Sequence, residues 1–252
     1  MKVLLHLSFL GTNYCGYQIQ PNGITVQQRL NEATYALFGY DCDIVGCSRT
    51  DSGVHANHFC ATVAKKGTNE IFTTIPIDRI PLAISNYLPD DIAVFKAEAV
   101  SSDFHSRYDV KYKEYVYRIW NRPERNPFLR DRTWHYPKPI DDTALANMNA
   151  AAKHFVGTHD FSTYMSSDTK VLDTVRTIYD AEIIRKGDIV EFRVSADGFL
   201  YNMVRILTGT LISVAENKIS PDEIDRITES KDRKMAGVTV PPHGLFLNKV
   251  VY

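Results

Sequence analysis

The stretch Cys42–Lys65, CDIVGCSRTDSGVHANHFCATVAK, decides how the first half of the chain is read. Two β-rich runs, CDIVGC and HFCATVAK, flank a polar centre made of turn formers. A solvent loop needs nothing more than such residues, yet this centre sets one carboxylate, Asp51, among Arg49, Thr50, Ser52 and Gly53, between apolar flanks. Asp51 is therefore the residue to explain. Towards the N-terminus, TVQQRLNEATYALFG predicts a helix with Thr25 as its cap and Val26, Leu30, Ala33 and Leu37 on one face, and KVLLHLSF before it predicts a strand. Towards the C-terminus, IDRIPLAISNYL predicts a second helix and DIAVFKAEAV a strand. The order β-α-β-β-α-β is the split βαβ, ferredoxin-like arrangement, in which one antiparallel sheet carries both helices on one face.

The second half begins the same order again. KYKEYVYRIW predicts a strand, DTALANMNAAAKHFVG a helix, and TVRTIYDAEIIRK and DIVEFRVSA a strand pair around a Lys-Gly-Asp turn. FLYNMVRILTGTLISVAE follows as a buried helix, SPDEIDRITES as a shorter one with Ser220 capping and Pro221 at its first position, and GLFLNKVVY as a closing strand. No repeat is visible in the residues themselves, so the duplication rests on element order alone. The expected fold is α+β, with two ferredoxin-like units, their antiparallel sheets side by side and a cleft between them. The polar stretch between Val100 and Tyr112 places the boundary, giving domains 1–105 and 106–252.

A chain of 252 residues, 44% hydrophobic and 23% charged, has a globular composition and length enough for two cores. The N-terminal apolar run is short and lacks a small-residue cleavage pattern, and no segment approaches membrane-spanning length, so a cytoplasmic protein is expected. Four cysteines, Cys15, Cys42, Cys47 and Cys60, form no tight pairs and suit reduced thiols. A formal net charge of −1 excludes a uniformly basic nucleic-acid binder but leaves room for a local positive surface.

Three constellations compete for chemistry. Cys42, Cys47, His55, His58 and Cys60 are all metal-ligand types, but Cys42 and Cys60 sit within strand-like runs rather than paired at turns, so no metal site is expected among them. From Arg107 to Arg132 basic residues outnumber acidic ones and interleave with Tyr108, Tyr112, Tyr115, Tyr117, Trp120 and Phe128, which offers cations for phosphates and ring faces for bases. A half-exposed strand with aromatic and basic residues facing solvent on one side explains the same pattern, and the segment by itself favours that simpler reading. Arg205 interrupts an apolar helix between Val204 and Ile206. It must either reach a polar face shared with Tyr201, Asn202 and Thr208 or meet a carboxylate, because burying it unpaired is costly.

Taken in order, SRTDSGVHA, FHSRYDVKYKEYVYRI, FVGTHDFSTY, FLYNMVRILTGTL and PPHGLFLNKVVY resemble the tRNA pseudouridine synthase A family over essentially the whole chain. The family pattern Arg-Thr-Asp-x-Gly-Val-His is matched by Arg49 to His55, with Ser52 where alanine is frequent and Ser48 where glycine is common. The resemblance implies isomerisation of uridine to pseudouridine in the anticodon stem-loop of tRNA, at positions 38 to 40, by a homodimer that needs no cofactor. It implies that Asp51 is the catalytic carboxylate, that Arg205 faces it and lowers its pKa, that Arg49 stabilises the extruded base, and that Tyr115 stacks on uracil and assists proton removal from carbon 5.

Overall fold

A computed structural model describes residues 1–166 and 171–252. The chain divides into two compact units, Met1–Lys111 with Phe246–Tyr252, and Tyr112–Leu245. The architecture is mixed α/β, with mostly antiparallel strand pairing and, among the described residues, five α-helices.

In the first unit β1 (Lys2–Phe9) leads to α1 (Val26–Phe38), β2 (Cys42–Gly46), β3 (His55–Lys65), α2 (Ile80–Ser85) and β4 (Ile92–Val100). β1 lies between β4 and β3, and β2 pairs with β3, every one of these pairings being antiparallel. α1 starts where the cap requires: the Thr25 hydroxyl accepts a hydrogen bond from Gln28 N at 3.2 Å, and Gly39 ends the helix in the left-handed region. Its buried face is Val26, Leu30, Ala33 and Thr34, so Thr34 takes the place expected for Leu37, which is half-buried. The register pairs Val3, Leu5 and Leu7 with Val63, Ala61 and Phe59 on one face of the sheet, all of them buried.

Two sequence expectations change here. The closing strand β10 (Leu245–Val251) pairs in parallel with the start of β3, through Phe246 to His55 and Leu247 to Ala56. Residues 246–252 thus belong to the first unit rather than closing the second. The polar stretch expected at the boundary also belongs to the first unit: Ser106 Oγ donates to Val45 O, Tyr252 Oη donates to Ser106 O at 2.8 Å, and Lys2 Nζ donates to Phe104 O at 3.2 Å. The boundary thus falls after Lys111, not after residue 105.

The second unit holds β5 (Tyr112–Trp120), β6 (Trp134–His135), α3 (Asp142–Lys153), β7 (Gly157–Asp160), β8 (Val175–Lys186), β9 (Ile189–Ala196), α4 (Met203–Ala215) and α5 (Ile224–Glu229). Its strands run β5-β9-β8-β7 with antiparallel pairing, and β6 adds to β5 in parallel. Neither β6 nor β7 was expected, because two and four residues are too short to carry a readable alternation. α4 begins four residues later than its apolar run, since Asn202 adopts a left-handed backbone just before it. Met203, Val204, Ile206, Leu207, Leu211, Ile212 and Val214 of α4 are buried, and the helix packs against α3 and β5.

Candidate functional site

The Arg49–His55 motif is the connection from β2 to β3, and its shape is set by main-chain bonds. Val54 N donates to Asp51 O at 3.1 Å, closing a turn whose third residue, Gly53, has φ +78°. That is the conformation a type II turn demands of glycine. A neighbouring segment, Gly11–Tyr17, then grips the turn from outside. Tyr17 N donates to Thr50 O at 3.2 Å, while Gly53 N and Ser52 Oγ donate to Tyr14 O at 3.4 and 3.2 Å. Gly16 has φ +79°, and a Cβ there would lie 2.5 Å from Thr50 O, so only glycine fits between the two segments. The same segment is held to α1, with Val26 N donating to Gly16 O and Gln27 N to Tyr17 O. Its tyrosine is anchored as well: Tyr14 Oη donates to Asp91 Oδ1, and burial, followed by this carboxylate, pushes the phenol well above its usual pKa.

The ends of the motif are equally constrained. His55 is fully buried, its Nδ1 accepts from Gly11 N at 2.9 Å, and its ring lies 4.6 Å from that of Phe246. Asp51 is half-buried and Arg49 exposed. A carboxylate on a turn braced in this way has few places to go, because an aspartate side chain has only two rotatable bonds. The role of Gly11–Tyr17 escaped sequence reading. The available signal was GTNYCGY, with two glycines and two tyrosines directly after a strand.

Tyr115 and Arg205 lie in the second unit. Tyr115 sits mid-strand on β5 opposite Val194, is 6% exposed, and meets the Phe199 ring edge-on at 5.0 Å. Arg205 is half-buried in the first turn of α4. Its Nε donates to Val240 O at 2.7 Å and its Nη1 donates to Asn202 Oδ1. Of the polar face expected around it, Asn202 takes part, whereas Thr208 turns inward and donates to Val204 O at 2.7 Å. The segment that supplies the Val240 carbonyl crosses α4 at Gly209, where a Cβ would stand 1.9 Å from Val238 O. Gly237 N donates to Thr210 Oγ1 at 2.9 Å and Val240 N to Arg205 O at 3.5 Å, fixing that crossing. The guanidinium also acts on its surroundings: burial holds His243 below its usual pKa, and the charge of Arg205 adds to this while Asp131 opposes it.

The basic and aromatic segment resolves largely into structure. Tyr115, Tyr117 and Tyr136 are buried, Tyr117 Oη donating to Pro241 O at 2.7 Å. Arg118 pairs with Glu191 at 3.3 Å and Arg130 with Asp131 at 3.0 Å. Tyr108 and Phe128 remain 76% and 82% exposed. The five-residue metal grouping does not assemble as a set. Among the described residues, only His58 and Cys60 of those five lie in a cluster with metal-ligand spacing, and their third member is His6.

A model of the tRNA pseudouridine synthase family matches residues 7–109 and 151–252. The chain belongs to that family. It is 43% identical over 251 residues to a tRNA pseudouridine synthase A of Thermoanaerobacter sp. (strain X514), covering 100% of this chain and 99% of the relative. It is 44% identical over 251 residues, with the same coverage of each chain, to a tRNA pseudouridine synthase A of Clostridium acetobutylicum. A chain from the crystal structure of a Cbf5-Nop10-Gar1 complex is similar at 13% identity with a TM-score of 0.36, over 82% of this chain and 43% of that one.

Proposed function

We propose that the protein converts uridine to pseudouridine in the anticodon stem-loop of tRNA, at positions 38 to 40, with Asp51 as the catalytic carboxylate. The observation that carries this reading is the braced turn: in a chain of this family, the Arg49–His55 motif places its single acid on main chain held from both sides. The reaction is an isomerisation, so no atom is gained or lost and no cofactor is required. The N-glycosidic bond breaks and leaves an electron-poor sugar carbon, which Asp51 captures covalently or relieves by taking the neighbouring sugar proton. Uracil turns and its carbon 5 bonds to that sugar carbon as the bond to Asp51 breaks or the sugar proton is returned. The carbon 5 proton then leaves with help from the Tyr115 hydroxyl, and the ring nitrogen freed from the sugar takes up a proton, so the atoms balance.

Either role needs an ionised Asp51, and Arg205 is the cation that keeps it so. Arg49 stabilises the extruded nucleotide, since a stacked uridine cannot present its glycosidic bond. The protein works in the cytoplasm as a homodimer, with the tRNA arm on its basic surface. Its two halves are split βαβ units, one carrying the acid and the other the tyrosine and arginine. The order β4-β1-β3-β2 of the first unit, antiparallel throughout, supports that description.

The test is incubation of the purified protein with unmodified tRNA, followed by mapping of pseudouridine at each position. Product at positions 38 to 40, lost with Asp51→Asn, is expected. Product elsewhere overturns the site of action, and binding without any product overturns the activity.

A further inference from the structure

We propose that His6, His58 and Cys60 form a structural binding site for a zinc-class divalent metal ion in the first unit. β1 and β3 pair with His6 directly opposite Cys60, so both side chains stand on one face of the sheet. The two-residue period of a strand brings His58 to that same face. Three donor atoms converge there: His6 Nδ1 lies 2.8 Å from His58 Nε2, and Cys60 Sγ lies 3.5 Å from each of these nitrogens. His6 is 8% exposed and Cys60 fully buried, so the cluster is built into the sheet rather than gathered on its surface.

The spacing suits the ion. With Zn–N of about 2.0 Å and Zn–S of about 2.3 Å, a tetrahedral zinc separates its nitrogen and sulfur ligands by about 3.5 Å and two nitrogens by about 3.3 Å. The three side chains supply three of its four positions, and a water, entering beside half-buried His58, supplies the fourth. The sulfur-to-nitrogen distances already match, and the nitrogen pair needs to open by about 0.5 Å, within reach of small rotations of the two rings. A donor set of two imidazoles and one thiolate selects zinc-class ions over magnesium or calcium, which prefer oxygen. His6 is also oriented from behind, with its Nε2 2.6 Å from Glu98 Oε1. A carboxylate on the distal nitrogen of a ligating histidine fixes its tautomer and raises its basicity. Lys96 holds Glu98 in turn, at 2.8 Å.

None of these residues belongs to the Arg49–His55 motif, and the isomerisation makes no use of an ion. The site's role is to tie β1 to β3, three residues beyond the end of the motif. Without metal, the same atoms form a hydrogen-bonded histidine pair, so the two states differ in sulfur ligation and thermal stability.

The test uses the full-length protein, reduced and stripped with a chelator, and titrates it with cobalt(II) as a spectroscopic probe and then with zinc. One cobalt per chain is expected, with thiolate-to-cobalt absorption in the near ultraviolet and the visible bands of a tetrahedral ion, all displaced by zinc. Cys60→Ser removes the near-ultraviolet band. His58→Gln weakens cobalt affinity by about a hundredfold and Glu98→Gln by about tenfold. Stoichiometric zinc raises the melting temperature of the parent protein and not of His58→Gln. Absence of thiolate absorption at one equivalent overturns the proposal, as does a band that survives Cys60→Ser through Cys15 or Cys42. If Cys60→Ser loses its far-ultraviolet circular dichroism, His58→Gln decides by the same readouts, since that position is only half-buried.

Discussion

The turn that carries Asp51 and the helix that carries Arg205 solve one problem in two ways, each within its own unit. Asp51 has a short side chain, so its carboxylate goes where the main chain puts it, and the structure spends its hydrogen bonds on that main chain: Tyr17 N to Thr50 O, and Gly53 N and Ser52 Oγ to Tyr14 O. Arg205 has a long side chain on a helix that would be rigid in any case, and here the bonds go to the head group, from Nε to Val240 O and from Nη1 to Asn202 Oδ1. The difference teaches that precision is applied where freedom remains, at the backbone of a turn and at the tip of a long side chain. In both regions the bracing segment comes from elsewhere in the unit and crosses at a glycine, Gly16 in one and Gly209 in the other.

The largest expected effect is that of Asp51→Asn, which keeps the turn and its main-chain bonds but deletes the charge. Pseudouridine formation under single-turnover conditions should fall on the order of 10,000-fold. tRNA affinity by filter binding should stay within about twofold, because phosphate contacts dominate it. Retention of a substantial rate would remove Asp51 from the chemistry.

Next comes Arg205→Lys, which preserves the charge but lacks the Nε donor to the Val240 carbonyl. If the head-group clamp matters, turnover drops about 100-fold with little change in tRNA affinity. Turnover near the parent rate would show that charge alone suffices and would break the comparison. Tyr115→Phe retains the ring against Phe199 and loses only the hydroxyl. A fall of roughly 10- to 100-fold is expected, with delay after the new carbon bond has formed, visible as a rearranged adduct in a rapid-quench experiment. Unchanged kinetics would leave Tyr115 a stacking role alone.

The two glycines sharpen the contrast through stability. Gly209→Ala forces a methyl to within 1.9 Å of Val238 O, inside a buried helix with nowhere to move, and should cost about 3 kcal/mol in chemical denaturation. Gly16→Ala combines a positive φ with a 2.5 Å approach to Thr50 O and should cost about 2 kcal/mol. Each variant should in addition slow turnover of the fraction that remains folded, Gly16→Ala by displacing the Asp51 turn and Gly209→Ala by displacing the Val240 carbonyl that holds Arg205. Turnover at the parent rate in folded Gly16→Ala would argue against backbone bracing of the acid.

The smallest effect concerns the far end of α4. Glu216 is lowered to about 2 by Lys138 first, then by Lys218 and Tyr136, whose Oη donates to it at 2.8 Å. Because the folded value lies below the ordinary carboxylate one, this group stabilises the fold above the ordinary value and ceases to do so as the pH drops through about 2. Glu216→Gln should therefore lower the melting temperature by about 2 °C at neutral pH and by almost nothing near pH 2. An equal deficit at both values would assign the loss to packing instead.

Much of this protein was legible in its residues, for reasons of range. Strand alternation, the 3.6-residue helical period, caps such as Thr25 and turn glycines act within a few positions, so they survive in the linear order and yield the longer elements of both halves, though not the short strands β6 and β7. The Arg49–His55 motif belongs to the same class, being a turn read from one contiguous string. The oddness of Arg205 was visible because an apolar helix makes a lone cation conspicuous. Tertiary structure alone decided what each of these groups leans on. Tyr14 and Tyr17 brace a turn more than thirty residues away, Val240 supplies the carbonyl for Arg205, and His6 meets Cys60 only because β1 and β3 pair in one register out of several. The last strand pairs with β3 in the first unit for the same reason. Sheet register and segment crossings follow from burying the whole core at once, and no local window contains that requirement.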